Sequence, residues 1–176
     1  MTGSMRTLDE LPKHPAPAID LATHRLRVEG RVQAPRDYSA ADLAMLATGS
    51  HTEDFDCLEG WVVPDQQWEG VPLALLIEQA EPLADASLVT IGYEDFDIVI
   101  PLEIARQSLL ALSLNGAPLT LEHGGPVRLL VPGGECYTSV KWVDRIVLHA
   151  EAGAPSGRAR EVAMRRIGLD PDTDPR

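Results

Sequence analysis

The chain has 176 residues, of which 44% are hydrophobic, and this is enough for one globular domain with a buried core. Its 27 acidic and 15 basic residues give a net charge of −12, which disfavours nucleic acid and anionic lipid as partners because both would be repelled. No run approaches the roughly 18 apolar residues of a membrane span, and the first residues lack the apolar stretch of an export signal. We therefore expect a cytoplasmic protein with no membrane or nucleic-acid partner.

Hydrophobic periodicity predicts short strands mixed with short helices. Apolar and charged side chains alternate from His24 to Val32, as in a half-buried strand, and Ser39 followed by Asp42 is typical of a helix N-cap. No strand–helix–strand rhythm recurs, so the predicted fold class is α+β. The predicted segments are an extended N-terminal arm (1–20), a strand (24–32), a helix (39–49), a strand (50–58), a helix after Pro72, two strands (87–93 and 95–100), a helix after Pro101, an apolar strand (109–114), strands at 129–131 and 140–149, and a partly helical C-terminal tail (151–176).

Cys57, at the end of the predicted strand 50–58, is the first candidate for chemistry. The residues alone leave it open as a metal ligand, a nucleophile or a core residue. A hydrolase that pairs it with His123 is disfavoured, because Asp54, Asp56 and Glu59 would raise the pKa of the thiol by repulsion. Two cysteines and five histidines do not offer the roughly four spaced ligands of a zinc site. A single thiolate can still bind a soft or high-valent metal when a cofactor supplies the other ligands.

A basic cluster in the second half is the other candidate. The pairs Gly124-Gly125 and Gly133-Gly134 bracket Arg128, with His123 before them and Lys141 after them. This is not a Walker loop, because no Gly-Lys-Ser/Thr follows the glycines. If the cations converge, they would suit an anionic ligand such as a phosphate. The other interpretation is that they are ordinary solvated charges flanking strands.

Several ordered motifs resemble one known family. The run Asp-Phe-Asp-Cys-Leu-Glu-Gly-Trp at 54–61, followed by Trp-Glu-Gly-Val-Pro-Leu at 68–73, resembles the molybdenum-binding stretch of the sulfite oxidase family, and of its small stand-alone bacterial members above all. The segments His-Gly-Gly-Pro-Val-Arg-Leu at 123–129 and Val-Lys-Trp-Val at 140–143 resemble family segments independently. The resemblance therefore places a single oxidoreductase domain at 21–150.

The resemblance implies a mixed α+β molybdopterin-binding domain that carries the molybdenum cofactor. Cys57 would be the protein ligand to molybdenum, and His123, Arg128, Ser139 and Lys141 would hold the pterin and its phosphate. It also implies oxo transfer on a small-molecule substrate and single-electron exchange with a partner protein, the cofactor supplying the chemistry and the protein the positioning.

Three features depart from the family. Sulfite-oxidising members place arginines beside the metal, whereas Cys57 is followed by Leu58, Glu59 and Gly60, so a neutral substrate such as a sulfoxide is expected rather than sulfite. The tail lacks the aromatic residues of relatives, which leaves a catalytically silent binding or scaffold module as the alternative function. Cys136 stands where relatives often have glycine. It is expected to fill space, the alternative being a disulfide with Cys57 in the cofactor-free protein.

Overall fold

The computed structural model describes residues 5–172, which form two β-sheets and four short α-helices. The strands are β1 (Arg6–Thr7), β2 (Leu26–Gly30), β3 (Arg36–Tyr38), β4 (Gly49–Cys57), β5 (Trp61–Pro72), β6 (Leu88–Tyr93), β7 (Phe96–Pro101), β8 (Leu109–Leu114), β9 (Ala117–Pro118), β10 (Arg128–Leu130) and β11 (Arg145–His149). The helices are α1 (Ala40–Leu46), α2 (Leu73–Gln79), α3 (Leu102–Gln107) and α4 (Ala159–Arg166). The predicted α+β class is confirmed.

The first sheet carries the cysteine strand and is built around the long strand β5. Its main order is β1-β5-β8-β10, with β4 paired to β5 and β9 paired to β8. The pair β4–β5 is an antiparallel hairpin whose turn brings Cys57 opposite Trp61. On one side of this sheet, Phe55, Trp61 and Trp68 pack with Leu130 in a small aromatic-rich core, which anchors the strand end that carries the thiol.

The second sheet holds the larger core. Its order is β3-β2-β11-β6-β7, and β11 runs parallel to β2 but antiparallel to β6. The alternation predicted for residues 24–32 appears in β2, where Leu26 and Val28 are fully buried between exposed arginines. The helix α1 begins at the predicted N-cap, and Ser39 and Asp42 form a complete capping box.

Two predicted boundaries were wrong. Residues 61–72 lie between the predicted strand 50–58 and the helix after Pro72 and were not predicted as a strand, but they form the continuous strand β5, in which Pro64 lies where the β4–β5 register shifts. The strand expected from residue 140 begins only at Arg145. Trp142 has a left-handed backbone (φ 59°), which is incompatible with a strand.

Part of the N-terminal arm is buried in the structure. The strand β1 pairs in parallel with the start of β5, and Leu11 is only 4% exposed. The arm and the tail were predicted to reach residues 1 and 176, and their outermost parts, 1–4 and 173–176, lie outside the described residues. Across residues 5–172, every helix is too short or too polar to traverse a lipid bilayer.

Candidate functional site

A cavity of about 720 Å³ brings together most of the residues singled out from the sequence. Cys57, Arg128, Ser139 and Lys141 all line it, although they come from separate halves of the chain. Together with Phe55 we call these residues the inner wall, because strands of the first sheet and the loop after β10 hold them. The cavity is also lined by residues of the arm and of the end of α4, and we call these the outer wall: Leu11, Pro12, His14, Pro15, Ala16, Pro17, Val162, Ala163, Arg166 and Ile167.

Arg128 is a buried cation held in a fixed orientation. It is the first residue of β10 and is 5% exposed. Its Nε donates to Ser139 Oγ at 2.9 Å, and its Nη1 donates to the main-chain oxygen of His123 at 2.9 Å. Its guanidinium carbon lies 4.9 Å from the ring centre of Phe55 and 5.2 Å from that of Trp68, distances at which cation–π attraction operates. Burial lowers the pKa of Arg128 to about 10.

Lys141 is the second cation of the inner wall and packs directly against a glycine. A Cβ built at Gly124 (φ 97°) would lie 2.6 Å from Cγ of Lys141 and 3.3 Å from Cδ of Arg128, so only glycine lets both side chains pass. Burial, followed by the charges of Arg128 and Arg166, lowers the pKa of Lys141 to about 7. None of the ion pairs found within residues 5–172 involves Arg128, Lys141 or Arg166, although the charge of Glu59, which also lines the cavity, acts to raise the pKa of Lys141.

His123 does not line the cavity. Its ring Nε2 donates to the main-chain oxygen of Leu11 at 3.1 Å, and its Nδ1 lies 3.4 Å from the hydroxyl of Thr120. Its contribution to the inner wall is its main-chain oxygen, which accepts from Arg128. In this geometry the histidine ties the N-terminal arm to the loop before β10.

The thiol of Cys57 lies next to the thiol of Cys136 in the wall of the cavity. Their sulfur atoms lie 3.2 Å apart, and both residues are half-buried. The hydrogen bond with Cys136 raises the pKa of Cys57, and burial adds to this rise, whereas the same bond lowers the pKa of Cys136 to about 7. A raised pKa at Cys57, with the ring of His123 turned towards the arm, disfavours the nucleophile interpretation.

The carboxylates expected to repel an anion near Cys57 face largely away from it. Asp54 accepts from the main-chain nitrogen of Asp65 at 2.9 Å, and Asp56 is exposed. Both line a smaller second cavity of about 230 Å³ and not the main one. Glu59 does line the main cavity, where it accepts from the indole nitrogen of Trp61 at 2.9 Å.

Two residues of the outer wall were not predicted as site residues. His14 of the arm is half-buried and lines the cavity, where burial, followed by the charge of Lys141, lowers its pKa. Arg166 reaches the cavity from α4 and lies with its guanidinium carbon 5.9 Å from the ring centre of Phe96. No local motif marks either residue, because each arrives through the packing of a chain segment that is distant in sequence.

Comparisons with known proteins identify the family of the chain. Residues 13–156 match the family model described as the oxidoreductase molybdopterin binding domain. The chain belongs to this family. The sulfite-oxidase-type resemblance read from the motifs is thereby confirmed, and so is the predicted cofactor, the molybdenum cofactor. The helix α4 lies beyond the matched residues.

Two curated relatives and one solved structure show how far the similarity extends. The chain is 33% identical over 127 residues to the uncharacterized oxidoreductase YuiH of Bacillus subtilis (strain 168), covering 70% of this chain and 64% of YuiH. It is 31% identical over 143 residues to the catalytic subunit MsrP of a protein-methionine-sulfoxide reductase of Ralstonia nicotianae, covering 69% of this chain and 42% of MsrP. The sulfane dehydrogenase SoxCD of Paracoccus pantotrophus superposes with a TM-score of 0.71 at 26% identity, over 76% of this chain and 40% of that one. The chain thus spans less than two thirds of each of these proteins.

Proposed function

We propose that this protein is a molybdenum-cofactor oxidoreductase that transfers an oxo group to or from a small substrate, with Cys57 as the protein ligand to the metal. The observation that carries the proposal is the convergence on a single cavity of one thiol and two cations, Arg128 and Lys141, that form no ion pair within the described residues 5–172. A chain with net charge −12 has few reasons to bury two cations together unless they receive an anion. A phosphate-bearing pterin supplies that anion.

The inner wall fits such a group by its donor chemistry. Arg128 is held by Ser139 and by the oxygen of His123, so its guanidinium is oriented before any ligand arrives. Lys141 gains a proton readily once an anion is present, because the charge of the phosphate opposes the burial that lowers its pKa. Charge-assisted bonds from these cations are worth about 1.5–3 kcal/mol each.

Each residue has a distinct part in the proposed activity. When bound, the molybdenum cofactor supplies the two-electron oxo-transfer chemistry. Cys57 loses its proton and holds the metal through its sulfur. The faces of Phe55 and Trp68 keep water from the guanidinium of Arg128, and the outer wall restricts which substrates reach the sulfur side of the cavity. A separate protein partner accepts or donates the electrons singly.

Metal analysis tests the proposal. Protein produced in a host that makes the molybdenum cofactor should contain close to one molybdenum per chain by mass spectrometry of the elements. The variant Cys57→Ser should retain at least about tenfold less, because a ligand is lost. Cys136→Ser is the matched control, since it changes the neighbouring thiol, and it should retain the metal.

Two results would change the assignment. A wild-type protein without molybdenum, or a Cys57→Ser variant that holds as much metal as the wild type, would refute the proposed ligation. The protein could also carry molybdenum but show no dye-coupled turnover with any of a panel of sulfoxides, N-oxides and sulfite. That result would make it the catalytically silent module.

A further inference from the structure

The two cysteines of the chain are neighbours in space although 79 positions separate them in sequence. Cys57 is the last residue of β4, and Cys136 begins the 3-10 turn Cys136–Thr138. Both line the main cavity, so a small reagent that enters the cavity can reach both sulfurs. Tertiary structure has therefore placed two accessible thiols in contact at the point where the metal ligand is proposed.

The segments around the two sulfurs leave room for them to come closer. A disulfide bond is about 2.05 Å long, so the 3.2 Å contact would have to shorten by roughly 1 Å. Cys136 follows the exposed Gly133-Gly134, and a Cβ built at Gly133 would meet no atom within 4 Å. Cys57 precedes a turn in which the nitrogen of Gly60 donates to its oxygen at 2.9 Å, and the space beside Gly60 is equally open. A Cβ built at Gly134 would instead lie 2.4 Å from Thr138 Oγ1, so the turn before Cys136 is open at Gly133 but not at Gly134. Closure therefore needs a shift of about 1 Å shared between the two turns.

We propose that Cys57 and Cys136 form a reversible disulfide in the cofactor-free protein, and that this bond prevents molybdenum binding. This rests on the proposed function, in which the sulfur of Cys57 is the metal ligand. A sulfur atom held in a disulfide carries no thiolate charge and cannot ligate the metal. Reduction of the pair is then a condition for cofactor insertion, and a filled site is protected because its thiolate is already bound.

The chemistry is an exchange with a low-molecular-weight disulfide. One thiolate attacks the small disulfide, forming a mixed disulfide and releasing one small thiol. The second cysteine then attacks the protein-bound sulfur, forming the Cys57–Cys136 bond and releasing the other small thiol. The protein loses two electrons and two protons, and the small disulfide gains them. A dithiol reductant reverses both steps.

Intact-mass measurement tests bond formation without any enzymatic activity. Cofactor-free wild-type protein treated with oxidised glutathione should lose the mass of two hydrogen atoms and become inert to an alkylating reagent. Cys136→Ser should instead keep one glutathione as a mixed disulfide on Cys57, because no second thiol can displace it. Cys136→Ala repeats the test with a different replacement, and matching circular dichroism spectra verify that the variants fold. If both thiols of the oxidised wild type remain alkylatable, the proposal is overturned.

Cofactor loading tests the consequence. Oxidised wild-type protein should take up at least tenfold less molybdenum from supplied molybdenum cofactor than dithiothreitol-reduced protein does. Reduced Cys136→Ser should load as well as the reduced wild type, because its Cys57 is free. Equal loading of oxidised and reduced wild type, with the disulfide verified by mass, would overturn the blocking role. If the reduced wild type takes up no molybdenum at all, the proposed function itself fails. The intact-mass measurement still tests the disulfide on its own, so the two failures can be told apart.

Discussion

The inner and outer walls of the cavity differ in how they are built. On the inner wall, Arg128 is 5% exposed and is fixed by two hydrogen bonds and two aromatic faces. On the outer wall, Arg166 is exposed and its guanidinium lies over the ring of Phe96. The inner wall lies on strands and a short loop inside the family match, whereas α4 lies beyond it.

This difference separates two tasks. A cofactor shared by a family needs a rigid binding site, here called the cradle, whose hydrogen-bond donors are oriented before binding, because freezing mobile side chains would reduce affinity. Substrate choice can instead be set by elements that vary between relatives, and loosely packed terminal segments serve this well. We therefore expect changes on the inner wall to affect cofactor retention and changes on the outer wall to affect access and local order.

The largest effect is expected from Arg128→Met. This change keeps much of the apolar stem but removes a cation worth about 1.5–3 kcal/mol per charge-assisted bond, so molybdenum retention should fall roughly 10- to 100-fold. Molybdenum per chain after gel filtration measures it. The control is Arg27→Met, which removes an exposed surface arginine paired with Asp37 and should leave the metal content unchanged. Full retention in Arg128→Met would contradict the assignment of the inner wall as the cradle.

An intermediate effect, confined to the outer wall, is expected from Met164→Ala. Met164 is fully buried where α4 packs on β7 and on the turn that carries Cys136, and deleting such a side chain costs about 2–5 kcal/mol. We expect α4 to detach, so that its amides exchange with deuterium faster while those of β8 and β10 stay protected. The comparison variant is Leu129→Ala in the main core, which should lower protection throughout. A uniform loss of protection in Met164→Ala would show that the two walls unfold as one unit.

A smaller effect is expected on the pH dependence of stability when Lys141 is replaced. Its pKa in the cofactor-free fold is lowered to about 7, below its ordinary value of 10.5. The unfolded chain therefore binds more protons between about pH 7 and pH 10, and the stability of the cofactor-free protein should rise with pH across this window. Thermal unfolding of Lys141→Met should lack this part of the rise, whereas Lys13→Met, which changes an exposed lysine, should keep it.

The smallest effect is expected from Arg166→Gln. The charge of Arg166 is one of the causes that lower the pKa of Lys141, so removing it should shift that pKa upwards. Arg165→Gln should shift it less, because Arg165 does not line the cavity and is paired with Glu161. Lys13 and Lys141 are the two lysines of the chain, so nuclear magnetic resonance of ¹³C-methylated lysine resolves the titration. An unchanged titration would mean that the outer wall is electrostatically separate from the cradle.

The sequence correctly predicted those helices and strands that are determined by residues close together in the chain. The capping box of Ser39 and Asp42 and the alternation in β2 depend on neighbours within a few residues, and both were found as expected. The strand β5 was missed because Pro64 breaks strands in isolation, whereas here it occupies a register shift that depends on pairing with β4. Pairing over distance is a tertiary property that periodicity does not encode.

The same distinction holds within the site. Cys57, Arg128, Ser139 and Lys141 could be named because they belong to motifs, and all four line one cavity. The ring of His123 belongs to the same motif but is turned towards Leu11, because the arm supplies an acceptor that the motif does not contain. The approach of Arg166 depends on how distant segments pack, so no spacing rule could have predicted it. The contact between the two thiols was foreseen only as the alternative for Cys136, and it came from the family resemblance rather than from spacing.

The position of α4 also has a consequence for shortened forms of the chain. Val162, Ala163, Arg166 and Ile167 line the same cavity as Arg128 and Lys141, but they lie beyond the residues matched to the family. A protein cut after residue 156 would therefore keep the two cations and lose one flank of the cavity around them.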